Sequence, residues 1–339
     1  MKAKLASAFA ALLAIVLLAV ACGGDDDDNT PGTSASPAAS GDYSGVVITT
    51  DVTTGPNRFA VGVLNQDGVV LGADVSLTFL KRTSDTEATV RFQSTTDYVE
   101  LERFIINDKT GEKATTGATG AYVTQAEFDE TGGWAIQITG STKDGDEIGP
   151  INLAFEVQSP EQTLNVGDPA PKSRQTIASD VADITEIDSM KPPDSMHDLT
   201  IADAVTSGVP TVILFGTPAF CETQVCGPVM EAIMLPLYDR YGGQANFIHV
   251  EPYFLETLRS GAGLCAVPAF NINFARAGVA EGPGPCPSLT EEELLAAGES
   301  WNQRIEPIIF VVDSQGNIAG KFEAVAGLEE VEDLLSELL

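Results

Sequence analysis

The sequence predicts a multidomain chain: an all-β sandwich followed by an α/β domain. Three observations predict it. Between about residues 43 and 160, apolar side chains recur at every second position in short runs separated by turn residues. Beyond 161, β-branched runs alternate with stretches of helical period. Every cysteine except Cys22 falls in that second part, at Cys221, Cys226, Cys265 and Cys286.

The chain opens with Lys2 and Lys4 ahead of an apolar run, Leu5 to Ala21, that ends in small residues at Cys22. The run is too short and wrongly flanked for an ordinary membrane span and reads as a secretory signal. Its end, Ala19-Val20-Ala21-Cys22, resembles a bacterial lipobox, with Ala19 where leucine is more usual. The resemblance implies removal of residues 1–21 and lipidation of Cys22. Acyl chains contribute about 0.8 kcal/mol per buried CH₂, enough to hold the chain at a membrane. Residues 22–42, rich in Gly, Asp, Ser and Pro, read as a flexible acidic tether. The contiguous Asp25–Asp28 run lacks the spaced ligands and turn glycine of a calcium loop. The expected location is therefore extracytoplasmic, lipid-anchored to the bacterial cell membrane.

Eighteen basic residues face 49 acidic ones, for a net charge of −31. That excludes nucleic-acid binding, which needs clustered cations for the phosphates. It also argues against electrostatic docking on anionic lipid and leaves membrane attachment to the acyl anchor. Four cysteines remaining in an exported chain predict two disulfides.

In 43–160, Phe59, Val61 and Val63 alternate with small residues, as do Val75, Leu77 and Phe79, then Ala88, Val90 and Phe92. Trp134, Ile136 and Ile138 follow, then Leu153, Phe155 and Val157. Asn65–Gly68 and Glu130–Gly133 read as hairpin turns. The pattern suggests an immunoglobulin-like sandwich, although the Cys…Trp…Cys mark of antibody domains is absent. With no histidine here and its acids in turns or on outward positions, this part reads as a spacer or partner-binding module.

The α/β part begins at Val166-Gly-Asp-Pro-Ala-Pro171. Pro210 to Cys221 is an apolar, β-branched run ending at a cysteine, a buried strand leading into a turn. From Cys226, Val229, Ile233, Met234 and Leu237 mark a helical stripe. Ala245–Tyr253 supplies the next strand, and Ile305–Gly327 two more around Asp313–Asn317. A closing amphipathic helix carries Leu328, Val331, Leu335 and Leu338 on one face. The ordered set resembles the thioredoxin-like superfamily, in particular TlpA-like and peroxiredoxin-like extracytoplasmic domains. The resemblance implies a thioredoxin-like domain over 161–339, with an inserted disulfide loop at about 255–300.

Cys221 and Cys226 lie five positions apart. On one continuous helix such residues sit roughly 8 Å apart on different faces, beyond disulfide reach. A bond requires one of them off the helix. Pro228, tolerated in a first turn, puts Cys226 at the helix start and Cys221 in the loop before it. The helix N-terminus favours a thiolate, the species that attacks. The family's usual motif is Cys-x-x-Cys, often Cys-Gly-Pro-Cys, whereas here four residues intervene and Val229 replaces the second cysteine of that motif. The loop position favours Cys221 as the attacking thiol and Cys226 as its resolving partner; matching Gly227-Pro228 to the family motif gives the reverse. Pro307 stands where the resemblance implies a cis-proline lining the substrate groove, and Glu306 before it would repel an approaching thiolate. Cys265 and Cys286 read as a structural disulfide closing the inserted loop, worth about 3 kcal/mol. Ser288 and Glu291 resemble a capping box for the helix that follows.

The expected function is a membrane-anchored thiol–disulfide oxidoreductase. Its partners would be exported protein thiols and disulfides and an upstream membrane redox partner. No bound cofactor and no metal is needed for that chemistry. Alternatives are a copper chaperone of Sco type, a peroxidase using Arg304, and a non-enzymatic anchored binding protein with structural disulfides. His249, inside a predicted strand, and His197, before the core, do not stand where a copper-binding histidine of that type is expected.

Overall fold

The computed structural model describes residues 38–40, 42–84, 86–278 and 280–339. Cys22, the signal segment and most of the tether lie outside the described residues. Among the described residues no helix is long and apolar enough to cross a membrane. The structure is mostly antiparallel β-sheet.

The first part contributes β1 (Ala38–Ser40), β2 (Tyr43–Val47), β3 (Gly55–Asn65), β4 (Gly68–Val69), β5 (Asp74–Arg82), β6 (Ala88–Thr95), β7 (Asp97–Ile106), β8 (Lys113–Phe128), β9 (Gly132–Ser141) and β10 (Glu147–Val157). One sheet runs β1-β2-β3-β8-β7, with β4 paired to β3; the other runs β10-β9-β5-β6. Phe59, Val61 and Val63 of β3, Phe79 of β5, Tyr122 and Phe128 of β8, Trp134 and Ile136 of β9 and Leu153 of β10 share one apolar core between the sheets. The period-two alternation of these strands places them there.

The expected turn at Asn65–Gly68 is a hairpin: Asn65 pairs Gly68, and Asn65 Oδ1 accepts the Asp67 N–H at 2.9 Å. Glu130–Gly133 is not. It carries the chain from β8 in one sheet to β9 in the other, and Trp134 Nε1 donates to the Glu130 carbonyl at 3.0 Å. The sequence pattern also misplaces Val90. A bulge in the β5–β6 pairing sets Phe92 opposite Phe79 but Val90 opposite Leu80. One extra residue reverses the alternation, so Val90 points outward and is 55% exposed.

The second part contributes α1 (Ile201–Val205), β11 (Thr211–Phe215), α2 (Cys226–Val229), a π-helical stretch (Met230–Met234), α3 (Leu235–Tyr241), β12 (Asn246–Val250), α4 (Leu255–Ser260), β13 (Leu264–Cys265), α5 (Ile272–Ala277), β14 (Ala280–Glu281), α6 (Glu291–Ala296), β15 (Ile308–Val312), β16 (Ile318–Glu323) and α7 (Leu328–Leu338). The order of the larger sheet is β12-β11-β15-β16, with β11 parallel to β12 and antiparallel to β15. The π stretch has a local cause. Pro236 has no N–H to donate and its ring crowds the preceding turn, and the ladder widens so that the Leu235 N–H reaches Met230 O.

The six-stranded sheet is apolar on both faces. Phe59 and Tyr122 point into the first core, whereas Ala60, Leu101, Phe104, Ile106, Ala121 and Val123 point into a second. That second core also holds Val229, Ile233, Met234 and Leu237 of the helix, Val331 and Leu335 of α7, and Val212, Leu214, Ile309 and Val311 of the mixed sheet. Ile213, Phe215, Phe310 and Val312 face the other way, onto α1, Phe270 and Trp301. Polar contacts reinforce the joint. Arg58 Nη2 donates to Glu330 Oε1 at 2.7 Å and to the Val325 carbonyl at 2.8 Å, and Lys321 pairs with Asp51 at 3.1 Å. The β-rich part is thus a layer of one stacked body with the second part.

The chain's two tryptophans report this joint separately, Trp134 in the first core and Trp301 in the apolar cluster on the far face of the mixed sheet. In each variant keeping only one of them, the fluorescence transition should coincide with the far-ultraviolet circular-dichroism transition of the whole chain. Phe104→Ala should lower both, by about 3–5 kcal/mol of stability. Separate transitions, or a shift seen by one tryptophan alone, would contradict a shared core.

Candidate functional site

The site lies where β11 ends. Thr211–Phe215 are all buried, so this strand is anchored on both faces and its exit is rigidly placed. The chain leaves through Gly216 and Thr217 and turns at Pro218–Phe220, where the Phe220 N–H donates to Thr217 O at 3.2 Å. Cys221 follows, then a second turn with Gln224 in the left-handed region (φ 62°). Cys226 is the first residue of α2.

This places the two sulfurs as the spacing argument requires, one in the turn and one at the helix start. Cys221 and Cys226 form a disulfide with Cα atoms 5.9 Å apart, inside the range that a helix would exceed. The partners are unequal. Cys226 is fully buried, while Cys221 is 9% exposed. Cys221 Sγ also receives the Cys226 N–H at 3.2 Å and lies 3.1 Å from Thr223 Oγ1. Two donors converging on one sulfur stabilise negative charge there once the bond opens.

Glu306 and Pro307 stand beside the pair. The Glu306–Pro307 peptide is cis, as expected. A Glu306 carboxylate oxygen and both sulfurs lie within 4.8 Å of one another. Residue 306 is partly exposed, but its Oε2 is buried without a hydrogen-bond partner. Burial pushes the Glu306 carboxyl up to about 8; contact with Thr217 pulls it down, the Glu251 carboxylate pushes it further up, and His249 opposes. The repulsive anion expected from the sequence is therefore a neutral acid at pH 7, able to give up a proton.

The six-stranded sheet roofs this site. A Cβ on Gly227 would lie 2.9 Å from Phe104 Cε2 and 3.2 Å from Ile106 Cδ1, so only glycine lets α2 seat against β7. Thr116 Oγ1 of β8 donates to Gln224 Oε1 at 2.6 Å, between the two cysteines in sequence. Lys113 pairs with Glu231 and lies 5.6 Å from the Phe104 ring centre. The sequence reading of this part as spacer or partner module did not anticipate a roof, because nothing local marks which face of β7 meets a helix.

Cys265 and Cys286 form the second disulfide, with Cα atoms 5.4 Å apart, joining β13 to the segment before α6. Cys265 is fully buried. The helix that follows is capped by Thr290 and Glu293 rather than by Ser288 and Glu291. Thr290 Oγ1 accepts the Glu293 N–H, a start that turns Leu294 into the interior.

A second polar cluster lies beneath the same loop. His249 Nδ1 is 2.7 Å from Asp194 Oδ2, and its Nε2 is 2.9 Å from Gly216 O. Both neighbours are acceptors, so both ring nitrogens carry protons in this arrangement. Burial alone would lower the His249 pKa, but the Asp194 carboxylate overrides it and raises it to about 10. Burial likewise opposes ionisation of Asp194, yet the His249 charge and hydrogen bond, with the His197 ring nearby, hold it well below the usual carboxylate range. Asp188 and His197 complete the group. His249 lies in a strand, as expected from the sequence, but its meeting with His197 was not foreseen there. The available signal was that the chain has only these two histidines.

An acid with a folded pKa above its unfolded value stabilises the fold below the unfolded value and loses that contribution as pH rises through the folded one. For Glu306 the window is from the ordinary glutamate value of 4.5 to about 8. Urea stability should fall across this window, and Glu306→Gln should make the fall shallower. An unchanged slope in the variant would contradict a buried neutral carboxyl at 306. No protein-family model, curated protein or solved structure matches the chain, so its site is interpreted from its own geometry.

Proposed function

We propose that the chain is a thiol–disulfide oxidoreductase acting through Cys221 and Cys226. The observation that carries the proposal is the unequal disulfide: Cys221 hydrogen-bonded and 9% exposed, Cys226 fully buried at a helix start, with a neutral carboxyl beside both. We further propose that the mixed sheet with its helices is a thioredoxin-like domain. Support comes from the order β12-β11-β15-β16, with a strand–helix–strand unit before a hairpin and closing helix. The two packed antiparallel sheets support an immunoglobulin-like reading of the first part. Location outside the cytoplasm, with the anchor at Cys22, belongs to the same proposal, as do exported protein thiols as substrates and a membrane redox partner.

The exchange balances as follows. A substrate thiolate attacks Cys221 Sγ; an S–S bond forms to the substrate and the Cys221–Cys226 bond breaks. The electron pair leaves on Cys226, whose sulfur takes the Glu306 proton. A second substrate thiolate then displaces Cys221, leaving the substrate oxidised and the pair reduced. Run backwards, the same steps reduce a substrate disulfide. Attack in either direction occurs at Cys221, because its partner is buried. Glu306 stands beside that sulfur, joined to Pro307 by the cis peptide.

The burial of both cysteines under β7 and β8 favours a second reading, a structural bridge in an anchored binding protein. Trapping separates the two. Cys226→Ser should accumulate mixed disulfides through Cys221 with a disulfide-bearing peptide, whose second sulfur leaves as a thiol, and Cys221→Ser should accumulate at least tenfold less. Equal trapping by both, or none by either, would contradict the assignment.

A further inference from the structure

Both histidines of the chain meet in one buried place, with ring centres 4.9 Å apart. Asp188, Asp194 and His197 come from one loop, and His249 comes from β12. One ligand atom from each of the four lies within 4.8 Å of all the others. Their side chains are nearly sealed from solvent, His197 being the most exposed at 4%.

One atom has no place in the hydrogen-bond network. His197 Nε2 is buried without a hydrogen-bond partner, 3.5 Å from Asp188 Oδ2 and 3.4 Å from Asp194 Oδ1. These separations are long for an N–H···O bond. They match the edge of a ligand tetrahedron, which is about 3.3–3.4 Å for metal bonds of about 2.0–2.1 Å; the 2.7 Å contact of His249 Nδ1 with Asp194 Oδ2 is a hydrogen bond that an ion would replace.

The outer contacts hold the donors in position. His249 Nε2 is committed to Gly216 O, which leaves Nδ1 facing inward. The Met190 N–H donates to Asp188 Oδ1 at 2.7 Å, the Asp194 N–H to Asp188 Oδ2 at 2.8 Å, and the Met196 N–H to Asp194 Oδ1 at 2.8 Å. Metal ligands are oriented by this kind of supporting bond. Charge points the same way. Two carboxylates, two neutral imidazoles and a divalent cation sum to zero. Without the cation, neutrality needs a proton on each of two adjacent buried rings.

We propose that Asp188, Asp194, His197 and His249 bind one divalent transition-metal ion, a two-nitrogen, two-oxygen donor set of the kind zinc accepts. The site does not depend on the exchange reaction. Its place in the fold gives it a bracing role. Gly216 is where β11 ends, and Ser189 Oγ in the same loop accepts the Ala219 N–H at 3.1 Å. The ion would hold the stretch that delivers Cys221.

The test is a cobalt(II) titration of the full chain, free of any affinity tag, stripped with chelator and kept oxidised. Excess calcium and magnesium occupy the acidic surface. The expected result is one cobalt per chain with a four-coordinate visible spectrum lacking a thiolate charge-transfer band, displaced by zinc. His197→Ala should weaken binding at least tenfold, and the double variant Cys221→Ser/Cys226→Ser should bind as the wild type does. If His197→Ala does not fold, the wild-type spectrum decides by itself. No binding above the competitors, a thiolate band, undiminished binding in His197→Ala, or loss in the cysteine variant would each overturn the proposal.

Discussion

The structure depends on the apolar layer trapped between the six-stranded sheet and the mixed sheet. Strands β3 and β8 are apolar on both faces, so neither core closes without the other. The helix that begins at Cys226 lies inside that layer, with Val229, Met230, Ile233 and Met234 fully or almost fully buried. Its start therefore cannot drift relative to β7, and Gly227 is the point of closest approach. The inequality of the two cysteines follows directly. Cys226 is fully buried because its helix is, and Cys221 keeps its 9% exposure because it belongs to the turn leading in.

Electrostatics around the pair run against the character of the whole chain. The surface is strongly anionic, yet Glu306 beside the disulfide is held neutral by burial and by the neighbouring Glu251 carboxylate. A neutral acid does not repel an incoming thiolate and can protonate a departing one. Beneath the loop Asp194 and the His249 ring, 2.7 Å apart, pair with each other.

Much of this was legible in the sequence because it is local. Period-two runs marked the strands of the first core, the stripe from Val229 to Leu237 marked the helix, and the distance between Cys221 and Cys226 required one cysteine off it. The misread features are those where a local pattern has two outcomes. A bulge beside Val90 reverses the alternation, a glycine-rich turn at Glu130–Gly133 joins two sheets instead of two paired strands, and Thr290 caps where Ser288 also could. Features formed by distant segments left no local trace. The roof over Gly227 joins residues more than a hundred positions apart, and His197 meets His249 across a loop and a strand.

The most direct test of the proposed exchange is the reduction potential of the Cys221–Cys226 pair, measured by equilibrium titration against glutathione with Cys265 and Cys286 followed as an internal reference. The account requires the 221–226 pair to equilibrate at a potential well above about −300 mV, the region below which structural disulfides resist the glutathione pool. A pair that stays oxidised throughout, titrating no more easily than 265–286, would mark it as a structural bridge and contradict the account.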